Sequence, residues 1–107
     1  MNILFVCSRN KWRSPTAESI YKNNQKHSVK SAGTESSAAI KASSKIIHWA
    51  DLIFAMEKKH KHRLVEKFPL ETHNKQIVVL DIEDNYKYMD KELIEIIRIS
   101  VKPYLSE

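Results

Sequence analysis

The chain has 107 residues, a formal net charge of +5 and 42% apolar residues, with three prolines, one glycine and one cysteine. That length and apolar share suit one folded domain over residues 1–107 and exclude a disordered chain. A lone cysteine cannot close an internal disulfide, no apolar run reaches membrane-spanning length, and the N-terminus enters a strand without a signal-peptide plan. A cytoplasmic protein with no membrane partner is expected.

Ile3-Leu4-Phe5-Val6 is a short apolar run of the kind that makes a buried strand. Ser14-Pro15 then marks a helix start, with Ser14 as cap and proline in the first turn, where its missing N–H costs nothing. Cys7 and Arg13 lie in the loop between strand and helix. Backbone N–H groups of such a loop, together with a helix N-terminus, form an anion site. A cysteine facing that positive charge is favoured as thiolate, the nucleophilic form. Arg13 offers a planar fork matching two oxygens of a phosphate. Ser14 can cap its helix or support the Cys7 sulfur. The assembled reaction is phosphoryl transfer through a phosphocysteine that water later hydrolyses.

A helix from Pro15 to about Lys22 should bury Ala17, Ile20 and Tyr21, and residues 23–27 read as a polar connection. Gly33, the only glycine, reads as a turn residue needing positive φ. After a Ser- and Ala-rich stretch, a short helix over Ser44–Trp49 should turn Ile46, Ile47 and Trp49 inward. Leu52–Met56 is a buried strand. Glu57–Lys67 follows as a basic surface helix anchored by Leu64, Val65 and Phe68. Within it, His60 and His62 point apart at their spacing and lack companion ligands, so no metal site is assigned. The lysines and arginine around them read as a solvated face. A nucleic-acid patch is disfavoured there, because no aromatics interleave the charges.

Gln76–Leu80 is the next strand, running into an acidic loop over 81–90. The last helix should start near Asp90, a good cap, and show Leu93, Ile96, Ile97, Val101 and Tyr104 on one stripe until Pro103 ends it. Alternating strands and helices give an α/β fold: an open parallel sheet of about four strands with helices on both faces. Ligands of such sheets bind at the carboxyl ends of the strands, where Cys7 falls. The acidic loop lies at that same end, so a carboxylic acid there, with Asp81 closer to the strand end, could protonate a leaving group.

Val6-Cys7-Ser8-Arg9-Asn10-Lys11-Trp12-Arg13-Ser14-Pro15-Thr16-Ala17-Glu18 resembles the phosphate loop of low-molecular-weight protein tyrosine phosphatases, V-C-x-G-N-x-C-R-S-P-x-A-E. Ser31-Ala32-Gly33-Thr34 is similar to the family's second-strand S-A-G-T, which places a strand over residues 28–32. Ala50–Glu57 is similar to its third strand and the Met-Asp/Glu ending. The resemblance implies a short, cofactor-free phosphomonoesterase of this family, a protein-tyrosine phosphatase, with Cys7 as nucleophile and Arg13 as phosphate clamp. Asn10 and Ser14 would shape the loop, and Ser8, Arg9, Lys11 and Trp12 would complete the phosphate-binding segment. Asp84-Asn85-Tyr86 looks like the family's Asp-Pro-Tyr motif, making Asp84 the general acid, with Asp81 second in line. Tyr86 and Tyr88 would form an aromatic wall. The partners implied are a phosphorylated protein or small aryl phosphate, with inorganic phosphate as product.

Arg9 stands where the family has glycine, Trp12 where it has a second cysteine, and Asn85 where it has proline. Arg9 is expected to alter the loop or charge its rim, and Trp12 removes a disulfide partner for an oxidised Cys7. The stretch 34–45 looks abbreviated, so contacts supporting Asn10 are expected to be lost. Thioredoxin-linked arsenate reduction would need further cysteines. A non-catalytic alternative is a module that binds phosphoprotein, or nucleic acid through its basic surface, without turnover.

Overall fold

The computed structural model describes residues 1–105. Four strands, β1 (Asn2–Cys7), β2 (Ser28–Gly33), β3 (Leu52–Ala55) and β4 (Gln76–Val79), form one parallel sheet in the order β2-β1-β3-β4. The order reverses at β1, whose neighbours β2 and β3 lie on opposite sides. The carboxyl end of β1 is therefore the switch point at which an open α/β sheet leaves a crevice. Cys7 is the last residue of β1 and pairs with Gly33 at the end of β2.

Strand alternation divides the core into two layers. Ile3, Phe5 and Cys7 of β1 join Phe54, Met56 and Ile82 beneath α1 (Arg13–Tyr21) and α5 (Lys91–Val101). Leu4 and Val6 face the other way, packing with Ile53 against Ile47 of α2 (Ser44–Trp49) and Leu64 of α3 (Lys58–Lys67). Ring stacking of Phe5 on Phe54, with centroids 5.2 Å apart, ties β1 to β3 on the first face. A short α4 (Pro69–Thr72) after Phe68, absent from the sequence expectation, leads into β4.

The helix ends follow local chemistry. Ser43 caps α2 and Asp90 caps α5, each accepting backbone N–H groups of the first turn. Pro103 ends α5, and the chain continues into a 3₁₀ turn over Lys102–Tyr104. On α5, Leu93, Ile97 and Val101 are buried, as their stripe predicts, and Ile96 packs half-buried beside them. Of the three apolar anchors expected for α3, Leu64 is buried and Phe68 packs half-buried, while Val65, one position around the helix, is exposed.

Two local expectations are corrected. Helix α1 starts at Arg13, and its cap position is Trp12, with no side-chain cap. Ser14 lies inside the first turn and its hydroxyl is spent elsewhere. Gly33 has no positive φ; its lack of a side chain is needed for packing. A Cβ there would come within 2.6 Å of the Ser8 carbonyl oxygen and of Ala38 Cβ, and within 2.9 Å of the Asn10 nitrogen. Among the described residues, no helix is long and apolar enough to cross a membrane.

Candidate active site

Residues 8–12 link β1 to α1 in a loop stitched to the chain after β2. Thr34 donates its N–H to Cys7 O at 3.0 Å, Glu35 to Ser8 O at 2.9 Å and Ala39 to Arg9 O at 3.0 Å. The carbonyl side of the loop is thus engaged at Cys7, Ser8 and Arg9. Its N–H side is not: among the described residues, no backbone N–H of residues 9–12 donates to a protein acceptor. A bend with free amides beside a helix N-terminus is a cradle for an anion.

The tight bend is made by Asn10, which holds φ 55, a left-handed conformation that asparagine tolerates. Arg9 does not take positive φ, so a side chain in the glycine position leaves the loop undistorted. Arg9 points to solvent, its Nε 3.9 Å from Glu35 Oε2. Asn10 is well supported, contrary to the loss of contacts expected for the stretch after β2. Its Oδ1 accepts from Ile40 N at 3.2 Å, and its Nδ2 donates to Ser31 Oγ and Ser14 Oγ, both at 2.9 Å. Ser31 in turn donates to Glu18 Oε1 at 2.5 Å.

This network sets the hydrogen at Cys7. Asn10 fills a lone pair of Ser14 Oγ, leaving the single Ser14 hydrogen for Cys7 Sγ at 2.9 Å or Ala32 O at 3.4 Å. The shorter contact is to sulfur, so Ser14 is placed to donate to a thiolate there. The Cys7 side chain lies at the floor of a cleft of about 40 Å³, lined also by Ser8, Arg9, Lys11, Trp12, Arg13 and Asp84. Lys11 is exposed and its ammonium stands 4.7 Å from the Trp12 ring centroid.

Arg13 is 2% exposed, yet its guanidinium reaches this cleft. Its Nη1 donates to Glu57 Oε2 and to Ile82 O, the latter at 2.9 Å, while Nε lies 3.6 Å from Asp84 Oδ1. Nη2 has no protein partner among the described residues. Asp84 is the acidic-loop carboxylate in the cleft; Asp81, at φ 56, does not line it. Asn85, in the position of proline, bonds Glu83 Oε2 at 2.9 Å and so braces the turn.

Tyr86 and Tyr88 do not build the expected wall. Tyr86 packs half-buried against the apolar layer beneath α1 and α5, and Tyr88 bonds Ser19 at 2.6 Å along α1. Trp12 is the aromatic side chain that lines the cleft.

Two residues escaped the sequence reading. Glu57, the cap of α3, accepts from the Arg13 guanidinium. His60, expected on a solvated face, is fully buried. His60 Nδ1 accepts from Glu57 N at 3.0 Å, and its Nε2 lies 2.8 Å from Ser8 Oγ. An acceptor Nδ1 carries no proton, so Nε2 carries it. Burial, then the nearby Arg13 charge, lowers His60 from its ordinary 6.5 to about 4 against the opposing pull of Glu57, which agrees with a neutral ring. For Glu57, burial acts to raise the pKa, but the hydrogen bond and charge of Arg13 outweigh it and hold it below its ordinary 4.5. The findable signal was position: both residues directly follow β3, at the ligand-bearing end of the sheet.

Residues 2–49 match the family model for low molecular weight phosphotyrosine protein phosphatase. No curated protein matches the chain. Among solved structures, the YwlE arginine phosphatase from Geobacillus stearothermophilus is 27% identical, with 96% of this chain and 92% of that chain covered at a TM-score of 0.74. A low molecular weight protein tyrosine phosphatase from Streptococcus pyogenes is 16% identical over 99% of this chain and 94% of its own, at 0.79. One from T. tengcongensis is 24% identical, with 98% and 99% covered, at 0.75. These last two likenesses concern the fold.

Proposed function

We propose that the chain is a member of the low-molecular-weight phosphotyrosine protein phosphatase family, whose model its residues 2–49 match, and that it hydrolyses phosphoric monoesters on protein side chains, phosphotyrosine foremost. The observation that carries the reading is the cradle: free amides of residues 9–12 in the loop that follows Cys7, with Cys7 and Arg13 lining the same cleft.

In the proposed reaction the Cys7 thiolate attacks phosphorus in line with the ester oxygen. The loop amides with Arg13 Nε and Nη2 hold the equatorial oxygens, where charge is greatest in the transition state. Ser14 supports the thiolate before attack and when it leaves again. A phosphoryl oxygen that takes Arg13 Nε displaces the Asp84 carboxyl towards the ester oxygen, to which Asp84 gives its proton. The S–P bond forms as the P–O bond breaks, leaving phosphocysteine and a free hydroxyl compound. Asp84, now a carboxylate, takes a proton from water as that water attacks phosphorus and returns Cys7 and inorganic phosphate. Trp12 offers the aromatic surface against which a phosphotyrosine ring would lie.

The test is hydrolysis of p-nitrophenyl phosphate, which should resist chelators, be blocked by vanadate and vanish in Cys7→Ser. Asp84→Asn should slow phenyl phosphate, a poor leaving group, by on the order of 100-fold or more and the activated nitrophenyl ester far less. Equal losses on both esters would move the acid role away from Asp84, and an inert wild type would end the proposal. Phosphotyrosine and phosphoarginine peptides run side by side decide the substrate class; faster arginine dephosphorylation would overturn the tyrosine preference.

A further inference from the structure

We propose that His60 is a positioning residue that compels the Ser8 hydroxyl to donate its hydrogen into the phosphate cleft, making Ser8 a side-chain donor to the phosphoryl group. The proposal rests on the phosphate-binding reading of this cleft and adds a contact that the loop amides and Arg13 do not supply.

The argument is an inventory of hydrogens. His60 sits in the first turn of α3 with both ring nitrogens committed: Nδ1 accepts from the Glu57 backbone and Nε2 contacts Ser8 Oγ. The first bond fixes the tautomer, so Nε2–H must donate and Ser8 Oγ must accept. A serine hydroxyl has one hydrogen, and with His60 on a lone pair that hydrogen goes elsewhere. Among the described residues, Ser8 Oγ has no second protein partner, and Ser8 lines the cleft beside Cys7 and Arg13. Without the histidine, Ser8 could rotate and offer a lone pair to the phosphate, which would repel its oxygens.

The surroundings keep this arrangement in one protonation state. Burial first, then Arg13, Lys59 and Arg63, disfavour a second proton on the ring, and Glu57 favours it. A neutral histidine cannot trade its Nδ1 bond for a charge-assisted one across the neutral pH range. His60 touches neither substrate nor sulfur; it acts through Ser8.

The experiment is a double-mutant cycle on Ser8→Ala and His60→Ala, read as kcat/KM for p-nitrophenyl phosphate and as calorimetric Kd for inorganic phosphate. Each single change should weaken both readouts by on the order of ten-fold, as for loss of a hydrogen bond to a charged group. In the Ser8→Ala background, His60→Ala should add less than about two-fold, because the hydroxyl it orients is gone. His60→Gln, whose amide can still donate near the Nε2 position, should recover most of the loss. If His60→Ala fails to fold, His60→Leu, which fills the buried site without a donor, closes the same cycle with Ser8→Ala.

A His60 loss of equal size in both backgrounds would show a purely structural histidine and overturn the proposal. So would a Ser8→Ala protein with unchanged phosphate affinity. Wild type that binds phosphate without turnover would fail the hydrolase reading alone, and the calorimetric arm would still decide the role of His60.

Discussion

His60 shows how a single side chain reverses its meaning with burial. Unfolded, it titrates near 6.5; folded, near 4. Between these values the unfolded chain binds a proton that the folded chain refuses, so stability falls as pH drops from 6.5 towards 4. Above 6.5 both states are neutral and the effect is absent. Glu57 acts at the lower edge of the same window: its stabilisation is complete above 4.5 and fades as pH falls through its depressed folded value. Thermal melts at stepped pH should therefore show a decline beginning near 6.5. His60→Gln, which cannot titrate, should delay that decline until the carboxylates protonate. Identical acid limbs for wild type and His60→Gln would mean that the buried ring is not the group responsible.

Elements, rather than single residues, fix how rigid the loop over residues 8–12 is. It is gripped from two sides: the chain after β2 holds its carbonyls, while the N-terminus of α3 holds two of its side chains, Glu57 on Arg13 and His60 on Ser8. Gly33 is the point of closest approach on the first side. Gly33→Ala places a methyl group against the Ser8 carbonyl and the Asn10 nitrogen, backbone atoms that cannot swing aside. The expected cost is about 1–3 kcal/mol of overpacking, or a melting temperature lower by roughly 4–8 °C per kcal/mol. Because the displaced atoms belong to the loop, kcat/KM for p-nitrophenyl phosphate should fall as well. A Gly33→Ala protein that melts and turns over like wild type would refute the close contact. Here lies the limit of what could be read from the chain alone. Apolar runs and Asp90-type caps are local, so β1, β3, β4, α2 and α5 were legible, whereas β2, with no apolar run, was placed by the resemblance at Ser31–Thr34. Cys7, Arg13 and the Ser14 hydroxyl were legible because they share one loop. Gly33, Glu57 and His60 act through contacts to a loop far from them in the chain, 52 residues away for His60 and Ser8, and no local pattern separates a histidine that folds inward from one on a basic face.

On the scale of the whole molecule, charge decides how substrate arrives. The net charge of +5 is spread unevenly about the cleft. Arg9 and Lys11 stand exposed at its rim, and Lys58, Lys59 and Arg63 are exposed on α3, whose cap residue holds Arg13. Their acidic neighbours neutralise them weakly: Arg9 lies 3.9 Å from Glu35, and Lys59 lies 4.0 Å from a Glu57 carboxylate already engaged by Arg13. Such a field should concentrate anions and raise the encounter rate without strengthening the transition state. Raising salt from about 20 mM to about 500 mM shortens the Debye length several-fold, so kcat/KM for an acidic phosphopeptide should drop several-fold while kcat stays level. Small nitrophenyl phosphate, with less charge to steer, should respond less. Replacing Lys58, Lys59 and Arg63 by glutamine should flatten the salt dependence. A kcat that falls in step with kcat/KM would instead assign the salt effect to the reaction of the bound complex, since ions that merely compete for the cradle raise KM and leave kcat level. The cations would then serve the reaction at the loop, and the basic face of α3 would be only its solvated surface.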